Sequence, residues 1–340
     1  MTINPEIIEK IERFYAKKFN FSYSSLNKLL YSPKKFFKEY VLDEREELLE
    51  SYLVEGKLIH ALLLDDESFD DQFILSPSKI PTHGTGERTV LDKLYNIVKD
   101  NLVKDHVVHT LAAYEKEILE ILKDINLHQK LKTDEQRIDK IITESNTSYF
   151  EFLQIKKNRL IIDSELLDKC TRMVEEVKKN EEICNLLGLG RSNTDVYAVY
   201  NEIPIEAPIE DHPFGLKGII DNLVVDVTNK KVYINDIKTT SKALMDFKES
   251  VDYYKYWLQA GIYNKLILYF LSEVLDETWT IETRFIVIDK YGSVYPFKVT
   301  DETLAKWYYD TDTVIQKALW HYDSRNYDLP MELAIGEITL

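Results

Sequence analysis

The chain has 340 residues, 44% of them hydrophobic and 12% aromatic, which is enough to bury the core of one large domain or two packed ones. Its 59 acidic and 43 basic residues give a net charge of −16, which argues against a basic protein that coats nucleic acid regardless of sequence. The charge does not exclude a nuclease, because metal sites need carboxylates and a local basic patch can lie on an acidic protein.

The first 40 residues reverse this balance, with a net charge of +4 against −20 for the remainder. Their basic residues include Lys28, Lys34 and Lys35, and tyrosines and phenylalanines are interleaved with them. A solvated helix face is the plainer interpretation of such a run. The functional interpretation is a DNA-binding segment, in which the cations meet phosphates and the rings stack on bases.

The two cysteines, Cys170 and Cys184, lie fourteen residues apart in a charged helical stretch. This spacing suggests neither a disulfide framework nor a zinc or iron–sulfur site. No apolar run is long enough to span a membrane, and the N-terminal sequence is too charged for a signal peptide. We therefore expect a cytoplasmic protein with reduced thiols and no membrane partner.

Residues 1–188 are mainly helical by pattern. Ser22 or Ser24 is a candidate N-cap, and Pro33 suits the first turn of a further helix. A loop rich in proline and glycine at 74–88 precedes a long helical zone that ends at Gly188, a candidate C-cap.

Beyond Gly188 the pattern changes to short segments rich in β-branched and aromatic residues, which indicates strands. The predicted strands are 196–209, 215–228, 231–240, 279–289 and 293–300, with helices at about 251–272 and 301–324. This order predicts an α/β or α+β core. The predicted regions are an N-terminal helical part (1–76), a loop and helical insertion (77–188), a core (189–325) and a tail (326–340).

One constellation in this core carries chemistry. Asp221 follows Gly218 at the spacing Gly-x-x-Asp, and Asp236 and Lys238 stand two apart on the next strand. Residues two apart on a strand share a face, so a hairpin would gather all three side chains around one point. Two carboxylates so close repel each other unless a cation lies between them, and Mg²⁺ or Mn²⁺ prefers such oxygen ligands. A lysine beside the ion could stabilise charge that develops on a phosphate.

Two further features lie outside that hairpin. His60 is a lone histidine on an apolar helix, which by itself is more typical of a satisfied core residue. Gln259 and Tyr263 stand four apart, on one face of the helix that follows the D-x-K strand. As an isolated pair they too would be structural.

Taken in order, G-x-x-x-H (56–60), G-x-x-D (218–221), D-x-K-T (236–239) and Q-x-x-x-Y (259–263) resemble the RecB-like branch of the PD-(D/E)XK nucleases. The segments FSYSSLNKLLYSPKKFFKEY and DIKTTSKALMDFKESVDYYKYWLQAGIY are similar to the exodeoxyribonuclease VIII family of phage and prophage recombination exonucleases. The resemblance implies a restriction-endonuclease-like core, a central mixed sheet flanked by helices, with a helical N-terminal part and insertion.

The resemblance also implies roles for residues. It assigns metal binding to His60, Asp221, Asp236 and the Ile237 carbonyl. Glu202 is the expected ligand of a second ion, with Glu206 on the same strand as its competitor. Lys238 takes the catalytic lysine position, and Gln259 and Tyr263 lie near the scissile phosphate. Thr239 and Thr240, which follow the lysine, are candidate DNA contacts.

The function implied is a Mg²⁺- or Mn²⁺-dependent exonuclease, with one or two ions per site, that digests linear duplex DNA from 5′ ends. Relatives of this kind form rings of three or four subunits around DNA and work beside a single-strand annealing protein. Three alternatives stay open. They are another nuclease mode (endonuclease, repair enzyme or RNA nuclease), a non-catalytic binding module on the nuclease fold, and a helical scaffold protein.

Overall fold

A computed structural model describes residues 5–45, 51–105 and 108–336 of the chain. The helices are α1 Pro5–Ala16, α2 Tyr23–Tyr31, α3 Pro33–Phe36, α4 Ser51–Leu64, α5 Phe69–Gln72, α6 Gly86–Asp105, α7 Glu115–Asp124, α8 Asp134–Ile141, α9 Glu144–Ile155, α10 Ser164–Lys178, α11 Glu181–Leu187, α12 Phe247–Tyr253, α13 Tyr256–Phe270, α14 Asp301–Ser324 and α15 Met331–Ile335. The strands are β1 Asn20–Phe21, β2 Phe73–Leu75, β3 Leu160–Ile162, β4 Tyr197–Pro208, β5 Gly215–Asp226, β6 Lys231–Thr240, β7 Thr280–Asp289 and β8 Val294–Lys298.

The chain divides into two compact units. The first combines Met1–Asp65 with Arg172–Leu340, and the second is Asp66–Thr171. All the predicted strands, and every residue predicted to bind metal or to act in catalysis, fall in the first unit.

The sheet of the first unit is mixed. β4 pairs antiparallel with β5 from Tyr197 opposite Asp226 to Pro208 opposite Gly215, with a gap in the pairing at Glu202 and Asp221. Because β4 takes one edge of β5, the parallel strand β1 and the antiparallel strand β6 must share the other edge. β7 then pairs parallel with β6, and β8 pairs antiparallel with β7. The predicted α/β core with a central mixed sheet is confirmed.

The main hydrophobic core of this unit lies between the sheet and helices α2, α13 and α14. From the sheet it takes Ile220, Leu223 and Ile234, and from α13 Leu258 and Ile262, all completely buried. The helix α13 is apolar nearly all round because α14 covers its outer side. A Cβ at Gly261 of α13 would overlap the side chain of Thr311 on α14, so the small residue permits this close packing.

Two of the N-terminal helices, α2 and α3, begin where the sequence predicts. Ser22 caps α2 and forms a capping box with Ser25, and Ser32 caps α3, whose first residue is Pro33. At the other end of the helical region, Gly188 closes α11 in the left-handed conformation, with a φ of 64°.

The second unit is largely helical. Its core is formed by α6, α7 and α9, with Leu91, Ile118, Leu122 and Phe150 fully buried. A two-stranded parallel sheet joins β2 to β3, with Phe73 opposite Leu160. The sequence pattern did not predict these two strands, because three apolar residues are too few to distinguish a strand from a helix by period.

One predicted helix is wrong in its extent. Instead of a single helix over 251–272, α12 ends at Tyr253 and α13 begins at Tyr256, with Lys255 between them at a φ of 56°. No proline or glycine marks this break. The hydroxyl of Tyr23 donates a 2.5 Å hydrogen bond to the Tyr254 carbonyl, so a contact from α2 holds the junction.

Candidate active site

The two aspartates lie where strands β5 and β6 separate. Asn222 and Asn235 are the last paired residues of the two strands, and Asp221 and Asp236 are the first beyond them. The backbone N–H of Ile237 donates a hydrogen bond of 2.7 Å to Asp221 Oδ2, in place of a ladder contact. Both aspartates are buried, with 7% and 2% of their surfaces exposed. The predicted hairpin therefore brings the two carboxylates to one opening between the strands.

Lys238 lies on the same face of β6 as Asp236. Its Nζ is 2.5 Å from Asp236 Oδ2 and 4.8 Å from the centroid of the Tyr256 ring, at the start of α13. Burial lowers the pKa of Lys238, but the carboxylates of Asp236 and Asp221 outweigh burial and raise it above its usual value. Lys238 therefore carries a fixed positive charge in the site.

Gln259 and Tyr263 lie one turn apart on α13 and join this group through one amide. Gln259 Nε2 donates to Asp236 Oδ1 at 3.0 Å and to the Tyr263 hydroxyl at 2.8 Å. Gln259 Oε1 is buried and has no hydrogen-bond partner among the residues that the structure describes. The amide thus fixes one carboxylate oxygen of Asp236 and keeps an acceptor for another donor.

Gly218 allows α13 to come this close to the sheet. A Cβ at Gly218 would lie 3.0 Å from Tyr263 Cε1 and 3.0 Å from Leu266 Cδ1, which is closer than ordinary packing. The glycine of the G-x-x-D motif is therefore explained by the close packing of Tyr263 against the strand, and not by a turn in the backbone.

His60 reaches the same opening from α4. Its Nε2 is 3.1 Å from the Ile237 carbonyl oxygen, and its Nδ1 is 3.2 Å from Glu202 Oε1 and 3.9 Å from Asp221 Oδ2. One ligand atom each from His60, Glu202 and Asp221 lie within 4.8 Å of one another. The lone histidine of the sequence pattern is therefore a member of an acidic cluster, and both of its ring nitrogens have hydrogen-bond partners there.

Glu202 achieves this position through an unusual backbone. Its φ is 48°, in the left-handed region that a non-glycine residue rarely adopts, although it lies in the middle of β4. Its neighbours on both sides, Asn201 and Ile203, keep the regular pairing with β5. Such a conformation costs about 1–3 kcal/mol and persists where the surroundings enforce it. Glu206, the competing candidate, instead accepts a hydrogen bond from Asn20 at 2.8 Å.

The electrostatics of the cluster favour a cation. Burial lowers the pKa of His60, but Asp221 and Glu202 outweigh this effect and raise it to about 9. Burial raises the pKa of Asp236, Lys238 opposes that rise, and the nearby Asp221 adds to it. The protonated imidazole thus compensates carboxylates that repel one another, which is work that a divalent ion could do in its place.

A sequence profile of the PD-(D/E)XK nuclease superfamily matches residues 20–270, about three quarters of the chain. The chain belongs to the PD-(D/E)XK nuclease superfamily. Among solved structures, the chain is similar to a protein of Eubacterium rectale that is described as a candidate exonuclease, with 10% identity and a TM-score of 0.47. That match covers 100% of this chain and 96% of the other, and a likeness at this level carries no weight for function. The sequence matched none of the curated proteins with which it was compared.

Nucleases of the PD-(D/E)XK superfamily usually use divalent metals, and the residues of this chain fit one. A set of one imidazole and several carboxylates suits a hard or borderline ion such as Mg²⁺ or Mn²⁺. His60, Glu202 and Asp221 supply such a set, and Asp236 and the Ile237 carbonyl lie beside it. None of the described helices is both long and apolar enough to span a membrane.

The predicted DNA contacts fall on α2, on α3 and at the end of β6. Lys28 is 29% exposed and donates to Glu39 at 3.1 Å, whereas Lys34 is 70% exposed, 3.9 Å from an Asp328 oxygen. Lys35 is exposed. Thr239 and Thr240 continue β6 directly beyond Lys238 and are half-buried.

Two aromatic residues near Lys238 were not among the predicted site residues. Tyr256 lies under its ammonium group. Burial raises the pKa of Tyr23, and Tyr256, Lys238 and Asp236 are the charged or titratable groups that act on it. The sequence signal was present, since Tyr23 belongs to FSYSSLNKLL and Tyr256 to DYYKYW, but neither segment shows its distance from the D-x-K strand.

Proposed function

We propose that the chain is a divalent-metal-dependent deoxyribonuclease that removes nucleotides from the ends of linear duplex DNA. The observation that carries the proposal is the convergence of Asp221, Asp236, Glu202 and His60 at the opening between two strands, with Lys238 at 2.5 Å from one carboxylate. The membership in a nuclease superfamily supports it.

We assign binding of one or two Mg²⁺ or Mn²⁺ ions to the carboxylates, His60 and the Ile237 carbonyl. Such an ion polarises the phosphodiester and makes a bound water more acidic. In the hydrolysis, a water molecule loses a proton as its oxygen bonds to phosphorus, the bond from phosphorus to one ester oxygen breaks, and the leaving oxygen takes up a proton. Negative charge grows on the phosphate as this happens.

The chain's own residues have separate roles in this scheme. Lys238, fixed in its charged form by Asp236 and Asp221, stabilises negative charge on the phosphate. Gln259 Nε2 donates a hydrogen bond to Asp236 Oδ1, so that the Asp236 carboxylate keeps its orientation. Tyr263 orients the Gln259 amide in turn.

The finer assignment rests on the ordered set of sequence motifs. We propose the RecB-like branch and, within it, a recombination exonuclease of the exodeoxyribonuclease VIII type, with 5′ to 3′ digestion, a phage or prophage role, a single-strand annealing partner and a ring of subunits. A ring would let an acidic protein enclose DNA, because only the residues that line the channel need be basic.

Digestion of three substrates tests the proposal. Linear duplexes labelled at the 5′ or the 3′ end and a closed circular duplex are incubated with Mg²⁺ or Mn²⁺. The expected result is metal-dependent release of the 5′ label first, with the circle intact. Cleavage of the circle would instead identify an endonuclease, and no cleavage of any substrate would identify a binding module.

Two variants connect the activity to the site. Asp236→Ala and Lys238→Ala are expected to abolish digestion while the circular dichroism spectrum stays that of the wild type. Lys242→Ala is the matched control, because Lys242 is 47% exposed and pairs with Glu249. Full activity of either site variant would overturn the active-site assignment.

A further inference from the structure

A row of aromatic rings leads from the protein core to the surface beside Lys238. Phe297 and Phe247 are 5.2 Å apart with planes at 29°, Phe247 and Tyr256 are 6.0 Å apart at 24°, and Tyr256 and Tyr254 are 5.5 Å apart at 26°. Tyr253 meets the outermost ring edge-on at 4.9 Å. The row therefore consists of four nearly parallel rings and one perpendicular ring.

Exposure rises from Phe247 outward to Tyr253, whereas Phe297 at the other end of the row is half-buried. Phe247 is 2% exposed, whereas Tyr254 is 48% exposed and Tyr253 is 77% exposed. Met245, on the approach to α12, is 90% exposed. Tyr253 and Tyr254 are exposed and in direct ring contact, and contiguous exposed apolar surface of this kind marks binding sites. Their rings are held from behind by a buried phenylalanine, so little freedom is lost when a flat ligand stacks on them.

The junction that presents these rings is itself held in place. Lys255 has a φ of 56°, which ends α12 and turns the two exposed tyrosines away from the axis of α13. The Tyr23 hydroxyl donates to the carbonyl of Tyr254 at 2.5 Å and fixes this turn from α2. A left-handed non-glycine residue enforced by a tertiary contact is the kind of local cost that accompanies a functional surface.

The position of the row indicates its occupant. Tyr256, a half-buried member of the row, has the Lys238 ammonium over its ring at 4.8 Å from the centroid. The Lys238 ammonium and the exposed Tyr254 ring therefore both neighbour Tyr256, at 4.8 Å and 5.5 Å from the centroid of its ring. Bases stack on aromatic side chains regardless of their sequence, as proteins that hold single strands require.

We propose that Tyr253 and Tyr254 form a stacking platform for an unpaired base next to the scissile phosphate, so that the enzyme holds a frayed strand end. This inference rests on the proposed function, because it takes Lys238 as the phosphate contact. The occupant is the base of a single strand. A second copy of the chain or another protein at this surface is an alternative that the experiment distinguishes.

The test measures binding without turnover. A twelve-nucleotide single-stranded oligonucleotide carries a fluorophore, and its anisotropy is followed in Ca²⁺ with wild-type protein and with the double variants Tyr253→Leu/Tyr254→Leu and Tyr253→Phe/Tyr254→Phe. The same measurement is made with an oligonucleotide of equal length that lacks bases at its labelled end. Tyr309→Leu is the matched control, since Tyr309 is 73% exposed on α14 and outside the row.

The expected result is that the leucine pair weakens binding of the base-bearing oligonucleotide by about tenfold or more. The phenylalanine pair and the Tyr309 variant keep the wild-type affinity, and no variant changes binding of the base-free oligonucleotide. Equal affinity of the leucine pair and the wild type for the base-bearing strand would overturn the platform. A loss of subunit association in the leucine pair, seen by sedimentation, with no loss of base-dependent binding would assign the surface to protein contacts instead.

Failure of the platform and failure of the nuclease are separate results. If the wild type digests DNA and the leucine pair binds and digests DNA equally well, only the stacking platform is rejected. Wild-type protein that shows base-dependent binding but no metal-dependent digestion removes the proposed function, and the platform would then be part of a binding module.

Discussion

Three neighbouring strands of the sheet each carry an asparagine next to an aspartate or a glutamate. The three asparagines form one side of the sheet, the amide face, and the three acidic residues form the other, the carboxylate face. On β4 the pair is Asn201 and Glu202, on β5 Asn222 and Asp221, and on β6 Asn235 and Asp236. The carboxylates face the opening between β5 and β6, whereas the amides face α11. Side chains of almost the same shape therefore serve two different purposes on the same strands.

The asparagines of the amide face hold the fold together, because their amide groups donate hydrogen bonds to neutral oxygen atoms of neighbouring elements. Asn222 Nδ2 donates to the Asn201 side chain at 2.7 Å and to the Leu187 carbonyl at 3.0 Å. Asn201 Nδ2 donates to the carbonyl of Leu64, the last residue of α4, at 2.8 Å. These carbonyls at helix ends lack partners within their helices, so the amides satisfy them.

The amide face also serves the carboxylate face, since α4 carries His60. Asn201 holds the end of α4 one residue before Glu202, which contacts His60 at 3.2 Å. The carboxylate face lacks such internal compensation. Asp221, Asp236 and Glu202 repel one another and depend on Lys238 and a protonated His60 for positive charge. On the amide face the hydrogen bonds need no added charge, although the buried Asn235 Oδ1 has no hydrogen-bond partner among the described residues. The carboxylate face is completed by a cation.

The largest expected effect comes from Asp221→Asn, which turns a carboxylate of the site into an amide. The amide oxygen can still accept from the Ile237 N–H, so the fold is kept and repulsion with Asp236 falls. Metal-dependent digestion should fall by about 100- to 1,000-fold, as when other charge-stabilising groups are removed. The initial rate on linear duplex measures this, and the melting temperature should be no lower than that of the wild type.

The reverse change, Asn222→Asp, should destabilise the protein instead. It places a carboxylate against the Leu187 carbonyl and the Asn201 oxygen and removes the donor that both use. An uncompensated buried charge costs about 3–5 kcal/mol. Urea denaturation measures the free energy of unfolding, and a variant as stable as the wild type would show that this face also tolerates charge.

The affinity of the carboxylate face for a metal ion should depend on pH, because His60 on this face takes up a proton. Without an ion, the raised pKa of about 9 means that His60 stabilises the fold below its unfolded pKa of 6.5, and this contribution is lost as the pH rises through 9. An ion bound at His60 requires the neutral imidazole, so its affinity falls about tenfold for each pH unit below 9.

The measurement for this prediction is the Mn²⁺ concentration that gives half of the rise in melting temperature, determined from pH 7 to pH 8.5. The wild type should show a slope of about one decade per pH unit, and His60→Gln should show a shallower one. Equal slopes would contradict a role for His60 in binding the ion. The control is His321→Gln, because His321 forms its hydrogen bond with the Asn326 carbonyl, away from the site. Asn235→Gln on the amide face would not serve as a control, because it enlarges a buried side chain.

The smallest effect is expected for Gly218→Ala. The added methyl group meets Tyr263 and Leu266 at 3.0 Å, and the resulting overpacking should cost about 1–3 kcal/mol of unfolding free energy. Because Tyr263 holds the Gln259 amide, digestion should fall as well, by less than in the aspartate variant. The control is Gly56→Ala, because a Cβ at Gly56 would make only an ordinary contact at 3.6 Å. Gly190→Ala is unsuitable, because the φ of 73° at Gly190 would strain an alanine.

Much of this arrangement could be predicted from the sequence because it depends on period. Alternation along β6 puts Asp236 and Lys238 on one face, and the four-residue spacing of Gln259 and Tyr263 puts them on one side of α13. The strand bounds were predicted to within two residues at most ends for the same reason, and β6 is Lys231–Thr240 as predicted.

The remainder depends on tertiary contacts that no local pattern records. Ile220 and Leu223 both face the main core although they stand three apart, so strict alternation fails on β5 next to Asp221. The left-handed backbone of Glu202 and the break at Lys255 likewise lie at residues with no preference for that conformation. Each of these exceptions adjoins the site, and together they give it its geometry.

The most direct test of the metal-dependent site compares Asp221→Asn and Asn222→Asp in one experiment. Single-turnover digestion of an end-labelled linear duplex in Mn²⁺ is measured at a temperature where both variants are folded, and the rates are normalised to the folded fraction from circular dichroism. We expect Asp221→Asn to be folded and about 100- to 1,000-fold slower than the wild type, whereas Asn222→Asp should be less stable and keep a rate within about tenfold of the wild type. An Asp221→Asn variant that digests as fast as the wild type would contradict the claim that the carboxylate face is the metal-dependent nuclease site.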